Sequence, residues 1–137
     1  MKKKQIALVE AHDARLDSMT VRPGGSVVLL LAHLGVYVPR DSDHYDVWNH
    51  RAKLQFEDLT DLQVTGSIPD DGWIVDDEVN GPRDPQPQLR EFLDQPVPIR
   101  EFSCTFRNGA RLALCARTMV IVFEDGGIVV DSWEGPL

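Results

Sequence analysis

Four histidines (His12, His33, His44 and His50), two cysteines (Cys104 and Cys115) and a run of carboxylates from Asp70 to Asp84 are the side chains with chemistry to offer. A zinc centre needs about three converging nitrogen, sulfur or carboxylate ligands, usually including one close pair in sequence. No such pair spacing occurs, and His44 and His50, though of one parity, stand most of a strand length apart. His33 lies within an apolar run and reads as a satisfied or edge residue. His12-Asp13 has the composition of an imidazole base oriented by a carboxylate. Adjacent residues in an extended chain rarely point at one another, so a turn or cap role for Asp13 is the simpler expectation. Ser18, Ser26, Ser103 and Cys104 sit neither in a Gly-x-Ser-x-Gly elbow nor beside a histidine. Gly24-Gly25 and Gly126-Gly127 lack the lysine and helix start of a phosphate cradle. The expectation is no catalytic set, no metal and no cofactor.

The carboxylates are more suggestive. Asp76-x-Glu78-x-Asn80-Gly81 imitates the opening of a calcium loop, where oxygen ligands alternate and glycine makes the bend. The imitation fails where Pro82 takes the position of the backbone-carbonyl ligand and Pro87 that of the closing glutamate. Solvated turn carboxylates, or a surface for a cationic partner, are the better readings, and on the second the partner-binding residues are Asp70, Asp71, Trp73, Asp76, Asp77 and Glu78. Net charge is -8 and the basic cluster is Lys2, Lys3 and Lys4. Such a field repels phosphate backbones and speeds encounter with a basic protein, so nucleic acid is excluded as the expected partner.

These residues need elements to hold them, and the pattern is extended. Apolar residues recur at period two or in short β-branched runs, with turn residues every eight to twelve positions. Strands are expected over Arg15 to Arg22, Ser26 to Val36, Tyr45 to Phe56, Leu59 to Thr65 and Trp73 to Val79. Four more are expected over Ile99 to Arg107, Ala110 to Ala116, Thr118 to Glu124 and Ile128 to Trp133, with Asn108-Gly109 and Asp125-Gly126-Gly127 as turns and consecutive strands as antiparallel neighbours. Between the two groups, Pro82, Pro85, Pro87, Pro96 and Pro98 forbid a central strand. Gln88 to Leu93 should make one short helix pressing Leu89, Phe92 and Leu93 onto a sheet. The expected fold is mainly β, an antiparallel sandwich, barrel or bent meander with that helix in the crossover. A chain of 137 residues suits a single domain over 1–137.

Asn108-Gly109 signals a two-residue hairpin turn pairing Arg107 with Ala110. Cys104 then faces Ala113 and Cys115 faces Phe102, which puts the sulfurs on one face but diagonally offset. Diagonal neighbours stand roughly 7–8 Å apart, at the limit of an unstrained disulfide. Two buried reduced thiols are expected, as in a reducing compartment. The apolar run Ile6 to Val9 is too short for a signal-peptide core, and Val27 to Leu34 is too short to span a bilayer. The expectation is a cytoplasmic protein with no membrane partner.

The series His12-Asp13-Ala14-Arg15-Leu16, a glycine hairpin into an apolar strand, Trp48 with Ala52-x-Leu54-x-Phe56, and Leu59-x-x-Leu62-x-Val64-x-Gly66 resembles small bacterial β domains among polymorphic-toxin immunity proteins and related uncharacterised families. The closing Asp131-Ser132-Trp133-Glu134-Gly135 fits the same resemblance. It implies a small, acidic, cytoplasmic protein that works by occluding a toxin, and it carries over no catalytic residue. The leading expectation is therefore a non-enzymatic protein-interaction module of immunity type that meets a basic partner through acidic loops. The alternative is a small β-barrel that binds a ligand or metal, with weak hydrolase activity where two of His12, His44 and His50 converge with a carboxylate. A homo-oligomer pairing through an edge strand of the C-terminal meander is a third.

Overall fold

The computed structural model describes residues 5–137, so Lys2, Lys3 and Lys4 lie outside the described residues. Two antiparallel sheets enclose one apolar interior. The first is curled and is built on a long ribbon, β3 (Ser26–Pro39) paired with β4 (His44–Glu57), which follows β1 (Leu8–Glu10) and β2 (Arg15–Arg22). β1 and β2 share one edge of β3, at its two ends. The second sheet contains β5 (Asp61–Thr65) and β6 (Ile74–Asn80), followed after the crossover by β8 (Glu101–Phe106) and β9 (Arg111–Cys115), in the order β5-β9-β8-β6. The short strand β7 (Val97–Pro98) precedes these, and β10 (Thr118–Phe123) and β11 (Ile128–Glu134) return to the first sheet. The architecture is the expected mainly antiparallel β fold.

The crossover behaves as its prolines require. It holds a 3₁₀ helix over Leu89–Phe92, with Leu89 and Phe92 buried, and Pro98 sits in β7, which pairs β10 for only two residues. The core runs between the sheets through Leu29, Leu31, Leu54 and Phe56 on one side and Phe102, Phe106, Leu112 and Leu114 on the other. The Phe56 and Phe102 rings meet at 5.4 Å. Along one edge the sheets are laced together: the Ile74 amide donates to the Ala14 carbonyl, the Asp13 amide donates to the Ile74 carbonyl, and the Leu16 amide donates to the Gly72 carbonyl. Among the described residues, no helix is long and apolar enough to cross a membrane.

Three pairings differ from the sequence reading. The β8–β9 hairpin pairs Thr105 with Arg111, and its three-residue loop closes on Phe106 and Ala110, with Gly109 at φ 87°. Pairing therefore slips by one residue from the two-residue turn, and a one-residue slip moves a side chain to the other face. Cys104 pairs Leu112 and faces the core, while Cys115 pairs Asp61 at partial exposure, so the two free thiols lie on opposite faces of the sheet.

The second difference is that β9 and β10 are not neighbours, because the chain changes sheets at Arg117. The third is that Asp125-Gly126-Gly127 does not reverse the chain. β10 pairs Ala52 to Glu57 and β11 pairs His44 to Asn49, so both run end to end along β4 with a jog opposite His50 and Arg51. The Asp125 carboxylate accepts the Arg51 and Gly127 amides in place of the interrupted ladder.

A bulge explains His33. Val27, Leu29 and Leu31 face the core opposite Phe56, Leu54 and Ala52, but the next core residue is Leu34, opposite His50. The extra residue at Ala32–His33 flips the parity, so His33 is expelled to solvent at φ 61°.

Candidate functional site

β6 carries the residues expected to meet a partner. Asp76 pairs Thr105 and Glu78 pairs Ser103, so both carboxylates stand on the outer face of the second sheet, followed by Asn80 beside Glu101. Asn80 Nδ2 donates to Glu78 Oε1 at 3.3 Å. As a strand, this row cannot wrap an ion in the manner of a calcium loop, although its alternation is what resembled one. The neighbouring outer-face residues are short, Ser103, Thr105 and Ala113, so the carboxylates border a shallow hollow of about 120 Å³ closed on the far side by Arg111. Arg111 Nη2 lies 3.8 Å from Glu101 Oε1. Asp70 and Asp71 are exposed on the turn before β6.

Asp77 and Trp73 are placed differently. A bulge at Val75 turns Asp77 to the interior-facing row opposite Cys104, where it is partly buried and accepts the Ala11 amide. Burial and the nearby Asp76 charge push its carboxyl up to about 6, and burial together with Asp77 raises the Cys104 thiol to about 12. Asp77 is thus a constituent of the sheet junction and not part of the outer face. Trp73 is half-buried, stacked on His33 at 5.6 Å with the guanidinium groups of Arg15 and Arg107 over its ring.

The histidines disperse. His12 donates from Nδ1 to the Val75 carbonyl at 2.7 Å, which ties the β1–β2 loop to β6 and raises its pKa. Asp13 adopts φ 68°, which brings its carboxylate to 3.5 Å from His12 Nε2. The neighbouring pair therefore does meet, but on an exposed corner. His44 lies among Asp41, Asp43 and Glu134, with Nδ1 2.8 Å from Asp41 Oδ1, and that hydrogen bond raises its pKa. Ligand atoms of Asp41, Asp43 and His44 lie within 4.8 Å of one another, the spacing a divalent cation needs, although both aspartates are exposed.

His50 is the buried one. Its ring stacks on Phe123 at 4.0 Å, with Trp48 beyond, and Nδ1 sits 3.2 Å from Asp125 Oδ1. Together with Arg15, His33, Asn49 and Arg51 it borders a hollow of about 200 Å³. Both arginines reach Asp17, at 2.7 and 3.2 Å, and this holds the Asp17 carboxyl below its usual range. Sequence reading missed Asp17, Asn49 and Asp125; the bulge at Asp17 and the Asp-Gly-Gly jog that assemble them depend on pairing across the sheet. No protein-family model, curated protein or solved structure matches the chain.

Proposed function

We propose that this chain is a non-enzymatic protein-interaction module whose acidic outer face on β6 and β8 receives a basic protein partner. The carrying observation is the shallow hollow in which Asp76 and Glu78 stand beside a floor of Ser103 and Thr105. Short floor residues leave room for the stem of a lysine or arginine, and the bordering carboxylates pair with its charged end. A net charge of -8 steers a basic partner toward the molecule. In the immunity-type form of this reading the partner is a toxin domain, held so that its own site is covered. A second reading, a ligand-binding β fold with hydrolase chemistry, is favoured by the hollow that His33, His50 and Asp125 share. It ranks behind because Asp125 is already committed to the Arg51 and Gly127 amides, and Asp17 already pairs both arginines.

The test uses a soluble glycine-arginine repeat peptide titrated into the isotope-labelled chain at two salt concentrations. Shifts centred on Asp76, Glu78, Ser103 and Thr105 are expected. D76K/E78K should slow association and flatten its salt dependence. Shifts spread evenly over all acidic surfaces, or association kinetics indifferent to the double variant, would remove the assignment.

A further inference from the structure

We infer that the outer edge of β11, together with the aromatic sheet face beside it, accepts an added strand from a lysine- or arginine-bearing partner protein. This rests on the reading of the chain as a protein-interaction module and names a second surface for it. Among the described residues β11 pairs β4 on one side only, over six register positions interrupted by a bulge at Val130. Its other edge presents unpaired ladder groups, which proteins commonly blunt with lysine, proline or a covering element. β11 contains neither lysine nor proline. All of its residues are exposed, including Ile128 at 65%, Val129 at 49%, Val130 at 48% and Trp133 at 47%. Large apolar side chains in a contiguous exposed set mark an interaction surface.

Register extends the patch across the sheet. Residues opposite one another share a face, so Trp133 stands beside Tyr45 and Pro39, Asp131 beside Val47 and Tyr37, and Tyr37 beside Leu8. None of these is fully buried, so the face is open to solvent. Two tyrosines, a tryptophan and aliphatic residues are the composition of an interface centre.

Charge decides what covers it. Residues 8–10, 34–39, 44–49 and 128–134 contain Glu10, Asp46, Asp131 and Glu134 but no lysine or arginine; Asp46 is paired with the adjoining Arg40 and Glu134 lies by His44, which leaves Glu10 and Asp131 as the carboxylates that set the charge of the face. Glu10 and Asp131 lie on the aromatic face, where Glu10 accepts the Tyr37 hydroxyl at 2.9 Å. Burial and the two carboxylates push the Tyr37 phenol up to about 12. Two-fold antiparallel pairing of a second copy centred on Asp131, the middle of the strand, would set the two Asp131 carboxylates directly opposite each other, which disfavours that register. A strand alternating cationic and aliphatic residues satisfies the ladder, the apolar row and the carboxylates together.

The full chain, isotope-labelled, is titrated with a synthetic peptide alternating lysine and valine, and separately with its glutamate-valine counterpart. The lysine peptide should shift and slow exchange of amides in 128–134, and I128K/W133K should weaken it about tenfold while core resonances stay in place. Equal binding of the glutamate peptide would overturn the charge argument. Shifts confined to Asp76, Glu78, Ser103 and Thr105 would overturn this surface while leaving the interaction reading intact. Binding of neither peptide at 128–134 overturns it too, and the glycine-arginine titration then reports separately on the β6 face. Concentration-dependent dimerisation of the chain alone, with protection at 128–134, would make a second copy the occupant and refute the proposal.

Discussion

Asp77 stores a cost in the neutral-pH fold. Its carboxyl titrates at about 6 in the folded chain, above the ordinary aspartate range, because burial beside Cys104 and the Asp76 charge disfavour the ionised form. Between roughly pH 4 and 6 the folded state holds more protons than the unfolded one, so this residue's contribution to stability falls as pH rises through that window. D77N keeps an acceptor for the Ala11 amide and removes the buried charge. It should stabilise the fold at pH 7.5 by about 2 kcal/mol and have almost no effect at pH 4, as read from urea denaturation at both values. Equal effects at the two values would refute the assignment. Cys104 and Cys115 give a second check, since burial protects one thiol and partial exposure opens the other. Brief alkylation of the native protein should modify Cys115 alone, with Cys104 following only in denaturant, as read by mass spectrometry.

At the scale of elements, the jog between β10 and β11 is the feature most open to test. Gly127 has φ 73°, and a Cβ added there would stand 2.5 Å from the His50 ring. G127A therefore forces an unfavourable backbone and a clash with a buried, stacked imidazole. It should cost about 2–4 kcal/mol in denaturant unfolding. A Cβ at Gly126 meets nothing within 4 Å, so G126A should change stability by less than about 0.5 kcal/mol. Similar costs for the two would mean that His50 does not set the shape of the jog. The strand spans, the 3₁₀ helix with buried Leu89 and Phe92, and the β2–β3 hairpin at Pro23-Gly24-Gly25 were legible in the sequence, because each follows from alternation or local turn chemistry. The short β1 was missed, since three residues carry too little pattern. Asp-Gly-Gly was misread as a reversal, because the same local chemistry serves a turn and a jog equally well.

The whole molecule distributes its charges around a shared core so that β6 and β11 present two acidic surfaces on different sheets. The sequence by itself determined that the chain is mainly antiparallel β, where its crossover lies, and that Asp70, Asp71, Asp76 and Glu78 are exposed, because these follow from side-chain alternation and from the cost of burying charge. Only tertiary structure decided that Asp77 turns inward, that His33 leaves the core, that the thiols part to opposite faces, and that His50 meets Asp125. Three of these follow from a single residue gained or lost in pairing, at the bulges near Val75 and Ala32 and in the Arg107-Asn108-Gly109 loop. With a side-chain period of two, one residue's shift inverts a face, and the energy that selects the shift comes from packing across the sheets.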